Sequence, residues 1–374
     1  MKRRNILVFV MVALMLITTV GLAACGGSSA PSDTAPAPAP TETEGADTEA
    51  PALEQTRTTP LTLNMATGNP TTHLVQTGTL DPLVEQFKEA TGGMVDIVIH
   101  PGGSLATAAT MFDDVMNGSI DFAQGTGTFN PGQFMPLEMM EMPMLWDTGE
   151  QATQVAWDLL ENNEEFQKQF KDVKVIGLWA TPTFQIFTKG KQVRVPADLQ
   201  GTVLRAHSAM VEKAIQAAGG ATVQMPTQDA YDAIDRGVIT GIVTDTSALE
   251  TFKLWDLIDY GLVGMNQCLA MQMVVMSLDA WNQLNDFEKA ELEKLIGRDM
   301  SLKTTANYEV AVTRAEEIAV TEHGMTLTEI TDEELAEWTA VYAPVVDDYI
   351  ANLNGRGIDA DGIFADMMKF RDAH

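Results

Sequence analysis

Cysteine and cationic residues are both scarce in this sequence. Its 374 residues include two cysteines, Cys25 and Cys268, and only 23 lysines and arginines against 52 aspartates and glutamates, for a net charge of −29. So acidic a chain argues against nucleic-acid binding and against a role on an anionic membrane surface, because both would repel it. The five histidines show no spacing typical of metal ligands, so they indicate no metal site.

The chain also lacks the short motifs of common enzyme classes. It has no Gly-x-Ser-x-Gly elbow, no Walker loop, no Gly-x-Gly-x-x-Gly opening a helix and no His-Glu-x-x-His. The glycine-rich "GTGTFNPG" follows a strand without the P-loop lysine and is predicted to be a loop. Neighbouring Asp113 and Asp114 lie on a helix predicted to be solvated. We therefore expect neither catalysis nor a cofactor.

The first residues predict export. The basic "MKRR" and the apolar run after it are typical of a secretory signal peptide over residues 1–24; a membrane helix is the alternative, but the stretch is barely long enough. "LAAC" followed by "GG" resembles a bacterial lipobox, which implies cleavage before Cys25, lipidation of its sulfur and anchoring on the outer face of the cell membrane or in the periplasm. Cys268 would then be unpaired, and we interpret it as a small core residue. Residues 25–59, rich in Pro, Ala and Thr, predict a disordered tether.

From residue 60 the sequence alternates between strand and helix patterns, which indicates βαβ units and a largely parallel sheet. A weak internal repeat, "FDDVMNGSIDFAQG" and "YDAIDRGVITGIVT", suggests two similar α/β lobes. We assign residues 60–180 to lobe I and 181–276 to lobe II. Residues 277–374 begin with a long helical pattern, uninterrupted by proline up to His323, that could clasp both lobes, and continue with a returning strand and C-terminal helices.

An arginine interrupts a run that otherwise reads as a buried strand, "TVLRAHSAM". Strand alternation places Arg205 and His207 on one face, near a helix start capped by Ser208. No acidic residue lies near at strand spacing, and a guanidinium is rarely buried without an anionic partner. The partner is therefore an acid from elsewhere in the fold or a ligand carboxylate bound bidentately. His73, after the first strand, is a second candidate for ligand contact, or else part of a helix cap.

The folded part resembles the solute-binding subunits of tripartite ATP-independent periplasmic (TRAP) transporters, the DctP family. The resemblance is carried in order by "GNPTTH", "ATGGMVDIVIHPGGSL", "FDDVMNGSIDFA", "FMPLEMMEMPML", "VKVIGLWATP", "VPADLQGTVLRA", "ATVQMPTQDAYDAIDRGVITG" and "ALETFKLWD". It implies two α/β lobes with a ligand cleft between them, bridged by C-terminal helices and closing on an organic acid. It also implies that Arg205 is the carboxylate anchor. Some members use a metal, for which Asp245 would be the candidate here.

The sequence departs from the family where many members carry further polar clamps. Phe184 and Gln185 stand where a second arginine is common, and Ile242, Val243 and Thr244 replace a Gln-Glu-Asn run. We expect an apolar or aromatic monocarboxylate for that reason. The full set of candidate cleft residues is Arg205, Phe184, Trp179, His207, Gln185, His73, Thr244 and Phe129, of which Trp179 and Phe184 could equally be core.

These observations predict an extracytoplasmic receptor that captures an organic acid and delivers it to the small and large membrane subunits of a TRAP permease. Two alternatives stay open. The first is a ligand-binding lipoprotein that serves a sensor kinase or chemoreceptor, which neighbouring permease genes would argue against. The second is an extracellular enzyme, which would return its ligand chemically changed.

Overall fold

The computed structural model describes residues 53–130 and 132–374. The predicted signal peptide and the lipidation at Cys25 lie outside these residues. Of the predicted tether, residues 53–59 are described: they form no helix or strand, and Arg57 makes an ion pair of 2.6 Å with Glu288.

The strands of the described residues form two sheets. They are β1 Leu61–Thr67, β2 Val95–His100, β3 Phe122–Thr126, β4 Val173–Ala180, β5 Gln185–Thr188, β6 Val203–Ala206, β7 Ala221–Gln224, β8 Gly241–Thr244, β9 Tyr260–Val263, β10 Met271–Ser277 and β11 Thr326–Glu329. The first sheet has the order β2-β1-β3-β10-β4, and the second has the order β11-β9-β5-β8-β6-β7. Each sheet mixes parallel pairs such as β1 with β2 and β6 with β8 with antiparallel ones such as β10 with β4 and β5 with β8.

The helices follow the predicted alternation. They are α1 Asp81–Ala90, α2 Met111–Met116, α3 Met135–Glu138, α4 Gly149–Asn162, α5 Glu164–Gln167, α6 Ala209–Ala217, α7 Ala230–Asp235, α8 Ser247–Thr251, α9 Leu278–Gln283, α10 Asp286–Glu293, α11 Arg298–Thr321, α12 Asp332–Gly355 and α13 Ala360–Arg371. Ser208 caps α6 as predicted, since its hydroxyl accepts from the Val211 N–H. Thr331 and Glu334 form a capping box at the start of α12.

The chain crosses between the two lobes more than once. After the second sheet has received β5 to β9, the chain returns to the first sheet with β10, which pairs antiparallel with β3 and β4. β10 lies within the range 181–276 that the sequence assigns to lobe II. The boundaries at residues 180 and 276 stay a prediction.

The two-lobed α/β fold with a long bridging helix is confirmed, but the helical run before His323 is interrupted twice. Asn285 caps α10 through a capping box with Glu288, and Gly297, with a φ of 92°, precedes α11. The single long helix expected there is therefore α9, α10 and α11. α11 joins the lobes: its Thr305 hydroxyl meets that of Thr153 at 2.9 Å, and its Arg314 makes an ion pair of 2.6 Å with Glu250.

Candidate functional site

A cleft lies between the two sheets, where strands of both lobes end. It encloses about 770 Å³ of space, a volume that includes open solvent. The first lobe contributes residues after β1 and β3, the second lobe contributes residues at the ends of β6 and β8, and α11 contributes Tyr308. The cleft therefore lies at the carboxyl ends of parallel strands, where open α/β sheets bind ligands.

Arg205 is 2% exposed and lines the cleft near the end of β6. Its Nε donates to the Met225 carbonyl at 2.8 Å and its Nη1 to the Val243 carbonyl at 3.3 Å, so backbone oxygens hold the side chain in place. Arg205 forms no ion pair with a carboxylate of the described residues, and Nη2 donates to none of them. Burial lowers the pKa of Arg205 to about 10, while the nearby carboxylates of Asp245 and Glu141 oppose that change. The guanidinium remains a cation at neutral pH, and three of its five N–H groups donate to none of the described residues.

His207 connects the cleft to the core of the first lobe. Its Nε2 lies 3.0 Å from Oε2 of Glu141, and Oε1 of Glu141 accepts from the Met271 N–H at 3.0 Å. Both side chains are almost fully buried. The imidazole also meets the Phe184 ring edge to face, with centroids 4.9 Å apart. A carboxylate on one side and an aromatic ring on the other thereby hold His207 in the lining of the cleft.

His73 is a neutral donor on the opposite wall. Burial lowers its pKa to about 4, so the ring is uncharged at neutral pH. Its Nδ1 accepts from the Val75 N–H at 3.1 Å, which leaves the proton of the neutral ring on Nε2. Phe252 and Tyr308 flank the imidazole, with centroids 6.1 Å and 6.4 Å away.

The wall from the first sheet carries a chain of side-chain hydrogen bonds. Gln124 accepts from Thr67 at 2.6 Å and from Asn69 at 3.0 Å, and it donates to Gln272 at 3.0 Å. Gln272 in turn donates to Thr126 at 2.6 Å. These groups largely satisfy one another, so this wall is polar but uncharged.

The structure brings six of the eight predicted residues together. Those that line the cleft are Arg205, His207, Phe184, Thr244, His73 and Phe129. Trp179 is fully buried and packs in a core of the first lobe, although its cross-strand partner Gln272 lines the cleft. Gln185 also lies outside the lining: its amide oxygen accepts from the Met265 N–H at 3.1 Å and its nitrogen contacts the Thr183 carbonyl.

Several residues that line the cleft were not predicted from the sequence to contact a ligand. Tyr308 sits inside a long helical pattern, where an aromatic residue ordinarily predicts core. Gln124 and Gln272 belong to strands that read as buried, and a glutamine there is the signal that could have found them. Asp245 lines the cleft directly after β8 and is 6% exposed. Among the described residues, no group of three or more His, Cys, Asp or Glu side chains is arranged to hold a metal ion.

A family model matches residues 65–352 of the chain, most of its length, and describes the bacterial extracellular solute-binding proteins of family 7, DctP. The chain belongs to this family. The resemblance to TRAP solute-binding subunits is confirmed, and the protein is an extracellular solute-binding protein. None of the helices in the described part of the chain is both long and apolar enough to cross a membrane.

Individual relatives are distant. A solute-binding protein of Albidiferax ferrireducens is 25% identical over 46% of this chain. The match spans about half, 52%, of that relative's length. The C4-dicarboxylate-binding periplasmic protein DctP of Rhodobacter capsulatus is 23% identical over 74% of this chain and 83% of its own length. A marine metagenome TRAP solute-binding protein specific for aromatic acids, solved with metahydroxyphenylacetate, superposes with a TM-score of 0.79 at 22% identity, over 84% of this chain and 99% of its own. At that identity the likeness shows the fold.

Proposed function

We propose that this receptor binds an organic monocarboxylate with an aromatic or apolar body and that Arg205 is its anchor. The single observation that carries the proposal is a buried guanidinium held by two backbone carbonyls, with no carboxylate partner among the described residues. Such a group is costly to bury alone, and a ligand carboxylate supplies the missing charge. Two hydrogen bonds from a planar guanidinium match a carboxylate better than any neutral group.

The walls around Arg205 favour an apolar ligand body. Phe184, Phe129, Phe252 and Met111 line the cleft, whereas Arg205 is the only lysine or arginine among the described residues that line it. A second carboxylate would therefore find no cation in the cleft. The aromatic-acid specificity of the marine metagenome protein supports this choice. The Rhodobacter relative is a C4-dicarboxylate-binding protein, so dicarboxylates are the competing class of ligand.

The receptor then delivers the acid to the membrane subunits of a TRAP permease. The two lobes close as a hinge, and the bound carboxylate, held between residues of both lobes, stabilises the closed form. Lipid on Cys25 would keep the receptor at the membrane where the permease lies. The ligand passes through unchanged, since the cleft is a binding site and not a catalytic one.

A thermal-shift screen of the folded receptor against monocarboxylates and their dicarboxylate analogues tests the proposal. A ligand at a hundred times its Kd adds about 2.7 kcal/mol, a rise in Tm of a few degrees for a chain of this size. We expect shifts with aromatic monocarboxylates that vanish in Arg205→Ala. Arg205→Lys should recover only part of the shift, because it keeps the charge but not the planar fork.

Arg194→Ala is the matched control. Arg194 pairs with Glu334 outside the cleft, so its loss should leave the ligand-induced shift intact. Shifts that persist in Arg205→Ala would contradict the anchor role. A dicarboxylate that binds more tightly than its monocarboxylate analogue would contradict the ligand class, and recovery of a chemically altered ligand would indicate an enzyme.

A further inference from the structure

Two buried acids lie close enough to Arg205 for their charges to act on it, yet neither forms an ion pair with it. They are Asp245 and Glu141, which are 6% and 0% exposed. A buried guanidinium attracts a carboxylate more strongly than an exposed one does, because little water is present to screen the two charges. The absence of an ion pair among these described residues therefore means that other groups hold both acids.

The donors that hold the two acids are visible in the structure. The Ser247 hydroxyl and nearby backbone N–H groups hydrogen-bond to the carboxyl of Asp245. Oε1 of Glu141 accepts from the Met271 N–H at 3.0 Å, at the start of β10 in the first sheet. Oε2 of Glu141 lies 3.0 Å from Nε2 of His207. The first sheet thus fixes one oxygen of Glu141, while a single side chain, His207, holds the other.

His207 directs its hydrogen bonding to Glu141 and not to the cleft that it lines. Nε2 is the donor of this pair, because a carboxylate oxygen only accepts. Nδ1 is sealed from solvent and has no hydrogen-bond partner among the described residues. The Phe184 ring covers the imidazole edge to face. The polar contact of His207 is therefore with a buried acid and not with a molecule in the cleft.

The free guanidinium lies next to this pair. Arg205 and His207 are two positions apart at the end of β6, a separation of at most about 7 Å of chain, and both line the cleft. Three N–H groups of Arg205 donate to none of the described residues. An oxygen of Glu141 released by His207 would find these donors close by, in surroundings that exclude water.

We propose that His207 withholds Glu141 from Arg205 and so keeps the guanidinium free for a ligand carboxylate. This inference rests on the proposed function, in which Arg205 is the anchor. His207 is then a positioning residue, and Glu141 is an internal competitor of the ligand. Without the donor of His207, Oε2 of Glu141 pairs with Arg205 and occupies the N–H groups that the ligand needs.

Titration calorimetry with benzoate tests the effect on binding. His207→Leu and His207→Met both remove the donor but keep an apolar side chain against Phe184. We expect each to raise the Kd at least tenfold, the effect of one charge-assisted hydrogen bond lost to a competitor. His207→Gln keeps an N–H that can donate to Glu141 and should recover most of this loss. Adding Glu141→Gln to His207→Leu removes the competing charge and should restore the Kd to within about threefold of wild type.

Thermal unfolding of the ligand-free receptor tests the same proposal without a ligand. The coupling between Glu141 and Arg205 is measured as the difference in Tm loss caused by Arg205→Met with Glu141 present and with Glu141→Gln. In the wild-type background we expect this coupling to be small, because the two side chains do not pair. In the His207→Leu background it should grow by a few degrees, because a new buried ion pair has formed.

The outcomes separate this proposal from the anchor role itself. Unchanged benzoate affinity in His207→Leu, a loss that Glu141→Gln does not restore, or equal coupling in the two backgrounds would each overturn the proposal. Benzoate that binds wild type and Arg205→Met equally well would instead refute the anchor. If benzoate does not bind wild type, the proposed ligand class has failed, and the ligand-free coupling still decides the role of His207.

Discussion

Glu138 is a buried glutamate whose pKa is raised by the fold. It lies at the end of α3, 8% exposed, and its Oε2 accepts a hydrogen bond of 2.6 Å from the Tyr349 hydroxyl. Burial raises the pKa of Glu138 to about 7, partly opposed by the bond from Tyr349 and reinforced by the neighbouring charge of Glu141. An unfolded chain would release this proton near pH 4.5. The folded state therefore loses stability as the pH rises from about 4.5 to about 7.

His73 changes the stability of the fold with pH in the opposite direction. Its pKa is lowered to about 4 by burial, whereas the unfolded chain binds the proton near pH 6.5. The folded state therefore loses stability as the pH falls from about 6.5 to about 4. Each gap between folded and unfolded pKa corresponds to about 3 kcal/mol, so the two contributions largely cancel between pH 4.5 and 6.5.

Glu138→Gln separates the two contributions. Glutamine keeps the size of the side chain and an acceptor for Tyr349, but it does not titrate. We expect the variant to match wild type near pH 4.5 and to exceed it by about 3 kcal/mol in free energy of unfolding above pH 7. Urea unfolding at half-unit intervals from pH 4 to pH 8 measures this difference. The pH dependence contributed by all other titratable groups is the same in both proteins and cancels in the difference.

Tyr349→Phe serves as the second arm of this experiment. It removes the hydrogen bond that lowers the pKa of Glu138, so the loss of stability should extend to higher pH. A difference between wild type and Glu138→Gln that does not change with pH would refute the reasoning.

Two further predictions concern the residues that line the cleft and the lipid attachment at Cys25. Trp179→Phe should leave the Kd for an aromatic acid within about twofold, because Trp179 lies outside the cleft. Phe184→Ala should weaken binding about tenfold, because it removes an apolar contact with the ligand. Titration calorimetry with both variants checks this, and equal losses of affinity would contradict the assignment of Trp179 to the core. Cys25→Ala should move the protein from the membrane fraction to the soluble fraction of cells, as seen by immunoblot; continued membrane association would exclude a lipid anchor at Cys25.

Local sequence signals predicted the individual elements well. The strand–helix alternation and the cap at Ser208 depend on neighbours in the chain, and both are present. The break before α10 had the same kind of signal, because Asn285 and Glu288 have capping-box spacing. The helical periodicity across that break concealed it.

The pairing of β10 with the first sheet could not be predicted in the same way. "MQMVVMS" reads as a buried strand in either lobe, and no residue in it specifies its partners. The burial of Trp179 in the core could not be predicted either, because its cross-strand partner Gln272 lines the cleft and strand alternation alone does not separate the two positions. Tyr308 reached the site only because α11 crosses between the lobes.

The unusual character of Arg205 was visible in the sequence, but its lack of a partner is a property of the fold. The chain carries 52 acidic residues, and any of them could have neutralised the guanidinium. The structure instead holds it with the carbonyls of Met225 and Val243, which fix its direction without cancelling its charge. In the proposed function, a ligand carboxylate on Arg205 offsets the electrostatic cost of burying this guanidinium. In that proposed complex, affinity for the acid and the stability that the acid adds to the fold have the same physical source.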